Sequence, residues 1–260
     1  MDIRVGTSGY DYPDWAGILY PNDLPRDEYI KVYGQAFSTL ELNFSYYRMP
    51  SAHNLETMIF RANRSMDFSI KANKALTHEV KDWKADTKKY LAGIEPLINF
   101  HRLATILFEF PSSFHYVPDN RIYLANLLDE FKSLPVVVEF RNKDWFTERV
   151  YEGLAKRNVS LCYMDLPSSA LKQEIKMPVN QEIVYWRLHG RNDTNWWNGD
   201  NVSRYDYLYS HDELAEVANQ LHETGIKTKM VRVYFNNHAK GNAVQNAKEM
   251  GELLNLGNIS

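Results

Sequence analysis

The chain has 260 residues, 44% of them hydrophobic and 24% charged, which is the composition of a folded globular protein and excludes a disordered one. A formal net charge of -3 with no long run of like charge argues against a protein held on duplex DNA by a basic surface, although a local basic groove stays open. The single cysteine, Cys162, excludes an internal disulfide, and no stretch approaches the ~18 continuous apolar residues of a membrane span.

The opening segment, MDIRVGTSG, lacks a basic-then-apolar signal pattern. With one cysteine, the expected compartment is the reducing cytoplasm. Cys162 itself reads as a small buried hydrophobe inside a strand.

In chain order, Ile3–Thr7 predicts a first strand, broken at Ser8-Gly9 and followed by a loop rich in aromatics: Tyr10, Tyr12, Trp15 and Tyr20. Leu24–Phe37 predicts a helix through Tyr29, Val32, Tyr33 and Phe37. Thr39–Asn43 predicts a strand with Leu40 and Leu42 on one face and Glu41 and Asn43 on the other. After the aromatic stretch Phe44–Pro50, Ser51 suits the N-cap of a helix reaching about Asn63. Phe68–Lys71 separates Phe68 and Ile70 from Ser69 and Lys71. A helix over Lys81–Phe100 follows.

Thr105–Phe110 separates Ile106, Phe108 and Phe110 from Thr105, Leu107 and Glu109. A helix over Asp119–Phe131 leads to Val136–Arg141, where Val136, Val138 and Phe140 oppose Val137, Glu139 and Arg141. A helix over Phe146–Arg157 and a strand over Val159–Met164 come next, closed by Asp165-Leu166-Pro167. Ser168–Glu182 reads as a loop. In the next strand Val184, Trp186 and Leu188 oppose Tyr185, Arg187 and His189. Ser210 opens a helix with Asp212 and Glu213 in its first turn, where negative charge suits the helix dipole, and Gly225 is its stop. Val231–Asn237 is the last strand and Asn242–Leu256 the last helix.

Strands alternating with helices imply parallel pairing, in either a closed barrel or an open doubly wound sheet. Eight units in a chain close to the ~250 residues of a common barrel favour a single closed (β/α)8 TIM-type barrel over residues 1–260. So does the one-sided polarity, because an open parallel sheet is covered on both faces and its strands are near-continuously apolar.

Several motifs lie in order along the chain: Gly6-Thr7-Ser8-Gly9-Tyr10 with Trp15 and Tyr20-Pro21; Thr39, Glu41 and Asn43 with Tyr47-Arg48; Lys71-Ala72 with Thr77-His78-Glu79; Glu139-Phe140-Arg141 with Trp145; Asp165 with Pro167; Arg187-Leu188-His189-Gly190-Arg191; and Tyr234–His238 with Gly241, Ala243, Asn246 and Ala247. Together they resemble the YecE-like family, known as domain of unknown function 72. The resemblance implies a TIM-barrel-like fold and brings no activity. The chain departs from the family pattern at Glu109, where the family usually has glutamine, and at Ser112, where it has a second proline. The resemblance therefore implies no essential role for Glu109.

Barrel active sites lie at the C-terminal ends of the strands. The candidate catalytic residues there are Glu41, Lys71, Glu139, Asp165 and His189, acids and bases that perturb one another as proton transfer requires. His189 is the expected proton shuttle, with His78 and His238 nearby in loops. Asn43, Arg141, Arg187, Arg191, Asn236, Tyr10 and Trp145 are candidate substrate contacts. The arginines suit an anionic group and the aromatics a sugar or base. Gly190-Arg191 and Asn237–Gly241 suggest a phosphate grip after strands seven and eight.

Carboxylates with one histidine leave a divalent metal open, but no HxH or HxxxH spacing supports it. The expectation is a hydrolase or isomerase-type barrel enzyme using acid-base or hydrolytic chemistry. Its substrate would be an anionic small molecule or nucleotide, phosphorylated or sugar-containing. Two alternatives stand beside it: a protein gripping single-stranded nucleic acid at the barrel mouth, and a non-catalytic scaffold whose polar ring is an ion-pair network.

Overall fold

The computed structural model describes residues 1–171, 182–200, 202–225 and 228–256. Among them lie eight strands: β1 (Asp2–Thr7), β2 (Thr39–Leu42), β3 (Asp67–Lys71), β4 (Leu103–Phe110), β5 (Val136–Phe140), β6 (Ser160–Asp165), β7 (Ile183–Leu188) and β8 (Met230–Phe235). All pair in parallel, in the order β1–β8–β7–β6–β5–β4–β3–β2, and the two end strands meet to make a nearly closed TIM-like barrel. The outer ring comprises α1 (Tyr29–Ala36), α2 (Phe44–Tyr47), α3 (Ala52–Arg61), α4 (Trp83–Asn99), α5 (Pro118–Glu130), α6 (Glu148–Lys156), α7 (His211–Gly225) and α8 (Asn242–Leu253).

Local chemistry sets several helix starts. Asp82 accepts from Ala85 N–H ahead of α4, and Thr147 accepts from Val150 N–H ahead of α6. Before α7, Ser210 and Glu213 form a reciprocal capping box. Ser51 precedes α3 but makes no side-chain cap bond there, contrary to its expected role. The last helix ends at Leu253, short of the expected Leu256. Most of the stretch read as a loop at Ser168–Glu182 lies outside the described residues.

The alternation read from the sequence divides the barrel wall in two. Leu40, Leu42, Phe68, Ile70, Phe108, Val138, Trp186 and Val233 face the helices in one continuous apolar core. Inside, Leu107, Val137, Cys162, Ile183, Tyr185 and Tyr234 fill the middle of the barrel. The Tyr234 hydroxyl bonds Thr39 Oγ1 at 2.6 Å and Ser69 Oγ at 2.9 Å, so the polar atoms of this layer are paired. Below it, Arg232 is buried between Asp2 and Asp67. Charge therefore occupies both ends of the interior, not only the C-terminal end that the sequence emphasised.

The seam between β1 and β2 is the incomplete joint. Gly9 N–H donates to Glu41 O at 2.8 Å, and Ser8 and Glu41 form an isolated parallel bridge between these two edges. Elsewhere the Tyr33 hydroxyl of α1 enters the seam, accepting from Thr7 N–H at 2.9 Å and donating to Thr39 O at 3.1 Å. Gly6 permits this close approach, since a Cβ there would sit 2.2 Å from Thr39 O.

Candidate functional site

At the C-terminal ends of the strands the interior side chains form two tiers. The lower is built on Arg187, 2% exposed at the end of β7. Its Nη2 donates to Glu41 Oε1 at 3.0 Å, and its Nη1 donates to Glu139 Oε2 at 2.8 Å and Glu109 Oε2 at 2.7 Å. Glu41 is held further by Ser8 Oγ and by the Tyr185 hydroxyl at 2.6 Å. A guanidinium can be buried here because its charge is met by carboxylates in good geometry. Burial opposes the charge, yet Glu139, Glu41 and Glu109 together hold the Arg187 pKa well above its ordinary value.

The upper tier faces the opening. Lys71 Nζ lies 3.0 Å from Glu109 Oε2 and 4.4 Å from the centre of the Tyr46 ring. Arg141 reaches Glu139 Oε1 at 2.5 Å and Glu109 Oε2 at 3.6 Å. Lys71, Glu109 and Arg141 are 13%, 15% and 18% exposed, whereas Glu41 and Glu139 are fully enclosed. The lower tier carries one cation against two carboxylates. The upper carries two cations against one, so the charge facing outward is positive. Burial alone would raise the Glu109 carboxyl, but Lys71, Arg141 and Arg187 outweigh it and hold its pKa well below the usual range.

His189 lies beneath this tier and is fully buried. Burial, reinforced by Arg141 and Arg187, pushes its pKa well below the ordinary value. The ring is therefore neutral at physiological pH. Arg141 Nη2 lies 3.1 Å from its Nε2 and the Asn236 amide 3.0 Å from its Nδ1. A neutral imidazole offers one donor and one acceptor. Both neighbouring atoms, Arg141 Nη2 and Asn236 Nδ2, are nitrogen donors, so the neutral ring is held between them and accepts from one of them. His189 is thus locked between two partners rather than poised near neutrality as the sequence suggested.

His78 occupies a more open position. Its Nδ1 is 2.9 Å from Thr77 Oγ1, and its ring meets Tyr46 edge-on at 5.0 Å. Burial lowers its pKa, with Glu109 opposing and Lys71 assisting. An aromatic wall stands across the mouth. Tyr12 stacks on His238 at 4.5 Å, Tyr205 lies 5.5 Å from His238, and both Tyr205 and Trp196 flank His189.

The predicted residues divide accordingly. Glu41, Lys71, Glu139, Arg141, Arg187, His189 and Asn236 converge at the mouth. Asn43 follows β2 there, with its side-chain oxygen buried and unpartnered among the described residues. Asp165 and Arg191 do not join them. Asp165 has the outward parity of its strand, and Arg191 grips it through Nη2 at 2.7 Å while also meeting Glu213 at 3.3 Å. The Tyr209 hydroxyl bonds the same Asp165. This pair ties β6 and β7 to α7. Trp145 is 2% exposed, stacked between Phe140 and Phe114 with its indole N–H on Phe114 O. Tyr10 packs against Tyr33 of the outer core.

The expected phosphate grip is also otherwise engaged. Gly190 N–H donates to the Tyr209 hydroxyl, and Lys240 N–H donates to the Asp14 carboxylate. Among the described residues no group of three or more His, Cys, Asp and Glu side chains is arranged to hold a metal ion. The three glutamates meet on Arg187, a cation already in the place a metal would take, so these residues do not fit a metal centre. Cys162 is fully buried beside them, and burial pushes its thiol pKa well up, as suits an inert packing residue. No helix among the described residues is long and apolar enough to cross a membrane.

Sequence reasoning set Glu109 aside, yet it joins both tiers. The alternation of β4 already put it on the interior face, and the departure from the family pattern drew attention away. Ser8 and Tyr185, which hold Glu41, and Tyr46, which covers Lys71, were not singled out as parts of one site. Tyr185 shares the parity of Arg187, so its position was readable.

A family model described as "Protein of unknown function DUF72" matches residues 4–259. The UPF0759 protein YunF of Bacillus subtilis (strain 168) is 27% identical over 271 residues, covering 98% of this chain and 95% of that protein. A crystal structure of a DUF72 family protein from Thermotoga maritima MSB8 is similar with a TM-score of 0.90 at 33% identity, covering 98% of this chain and 100% of that one. Another, from Enterococcus faecalis V583, has a TM-score of 0.87 at 23% identity over 98% and 96% of the two chains and supports the fold alone.

Proposed function

The chain belongs to the DUF72 family, whose description names no reaction, and from the geometry of the barrel mouth we propose an enzyme that binds an anionic small molecule and moves a proton on it. The substrate class is a phosphorylated or sugar-containing metabolite or nucleotide, and the chemistry hydrolytic or isomerising. The observation that carries this reading is the division into tiers: Lys71 and Arg141 face the opening with an excess of positive charge over an enclosed Arg187 platform. Lys71 and Arg141 take the anionic group, arginine through its planar fork. Tyr46, Tyr12 and Tyr205 supply ring faces for a sugar or base.

His78 is the proton-transfer group in this reading. Burial favours its neutral form, and in the tautomer whose Nδ1–H donates to Thr77 Oγ1 the Nε2 atom is the base. His189 and Asn236 fix the Arg141 guanidinium from below. The nucleic-acid alternative draws on the same aromatics but loses Arg191, which Asp165 and Glu213 already occupy.

The test is thermal unfolding with phosphate, sulfate and nucleoside monophosphates. A ligand that binds only the native state raises Tm by mass action. The rise is expected in the wild type and in Arg191→Met, and is expected to vanish in Lys71→Met and in Arg141→Met. No rise with any of these anions, or an equal rise in all four proteins, refutes the reading and leaves the ring as scaffolding.

A further inference from the structure

We infer a second binding site on the outer wall of the barrel, in a groove between α5 and α6, for an amphiphilic monoanion: an aliphatic chain carrying a carboxylate head. The inference is independent of the mouth.

The groove has a volume of about 420 Å³, within the range of roughly 300–1,000 Å³ usual for small-molecule sites. Its apolar surface comes from both helices, with Ile122 and Ala125 on α5 and Val150 and Leu154 on α6. Leu124 and Leu128 of α5 also line it and are buried, whereas Ile122 on the flank is 60% exposed. Gly153 of α6 widens the gap, because a Cβ there would meet nothing within 4 Å.

Charge identifies the occupant. Three arginines line the groove, Arg121, Arg149 and Arg157, and no acidic residue does. Arg157 lies 3.5 Å from Asp129. Neither Arg121 nor Arg149 has an ion-pair partner among the described residues. Arg121 lies over the Tyr116 ring with its buried Nε lacking any hydrogen-bond acceptor. An apolar trough ending in unneutralised guanidinium groups, one with a desolvated N–H, complements an aliphatic chain with an anionic head and is poorly matched to a neutral chain or a bare anion.

The probe is decanoate, titrated calorimetrically at submillimolar concentration into the full chain, with decanol as the uncharged comparison. Saturable one-site binding of decanoate is expected, with decanol at least tenfold weaker. Arg121→Gln is expected to weaken decanoate about tenfold. Gly153→Leu should abolish its binding by filling the trough, while melting no lower than wild type because leucine is the better helix former. Absence of saturable decanoate binding, equal binding of decanol, or undiminished binding to Gly153→Leu each overturns the inference. Tm changes with phosphate report on the mouth and are expected to be the same in Gly153→Leu as in wild type.

Discussion

Replacing Arg187 by methionine is the perturbation that bears most heavily on the barrel mouth. The side chain is 2% exposed and contacts Glu41, Glu109 and Glu139 at 3.0, 2.7 and 2.8 Å. Methionine fills comparable space but leaves three carboxylates around it with only Lys71 and Arg141 to balance them. Removing one partner of a buried ion pair costs ~3–5 kcal/mol, against a total domain stability of ~5–15 kcal/mol. For a domain of this size that corresponds to a fall in Tm of roughly 6–20 °C.

The pH dependence gives the sharper test. In the wild type, Glu109 has a depressed folded pKa, so its contribution is fully present above the unfolded value of ~4.3 and is lost as pH falls through the folded value. Stability therefore rises with pH across the acid range. In Arg187→Met the native cluster has lost a cation and retains protons that the unfolded chain has released, so stability falls as pH rises from about 5 to 8. Urea unfolding at a series of pH values should show this reversed slope, and adding Glu139→Gln to the variant should recover part of the loss. A variant as stable as wild type at pH 8, with an unchanged slope, would mean that water already compensates these charges and that the platform has been misread.

Three further outcomes follow from the same geometry. Nitrogen NMR of His189 should show a neutral ring that does not titrate between pH 8 and 5; its folded pKa is depressed, so stability declines as pH falls below the unfolded value of ~6.5. A ring that charges near pH 6.5 would contradict the lock by Arg141 and Asn236. Tyr33→Phe should cost ~1–3 kcal/mol in urea unfolding and speed amide exchange at Thr7, because the seam loses the hydroxyl's bonds to Thr7 N–H, Thr7 Oγ1 and Thr39 O; unchanged exchange would show that the seam closes without it. Gly6→Ala should be more damaging than Tyr33→Phe, since its methyl group meets Thr39 O at 2.2 Å, and equal stabilities would refute the close approach.

Much of the barrel was legible because strand alternation is a geometric property of the chain itself. It put Glu41, Lys71, Glu139, Arg141, Arg187 and His189 on one face, and the closed sheet brings them together. The same rule, followed one residue further along β6, separates Asp165 from the interior: Ser160, Cys162 and Met164 point inward, and Asp165 does not. Arg191 was unreadable for a different reason. Its partners come from β6 and α7, far apart in sequence, and only the folded chain shows that its charge is already met. The loop aromatics carry no periodicity, so nothing local distinguishes Trp145, stacked in a satellite of the core, from Trp196 at the mouth. The shift of His189 likewise arises from its burial in the closed barrel, reinforced by Arg141 beyond the end of β5 and by Arg187, and inspection of its own segment does not reveal that burial.

The central claim is that the upper tier at the mouth is an anion site and not solely a brace for the barrel. Selenate, a tetrahedral dianion visible by its anomalous scattering, tests it directly in soaked crystals. A peak within hydrogen-bond distance of both Lys71 Nζ and the Arg141 guanidinium, absent in Lys71→Met crystals, is the predicted result. Peaks confined to the outer surface, with the mouth empty at saturating selenate, would contradict it.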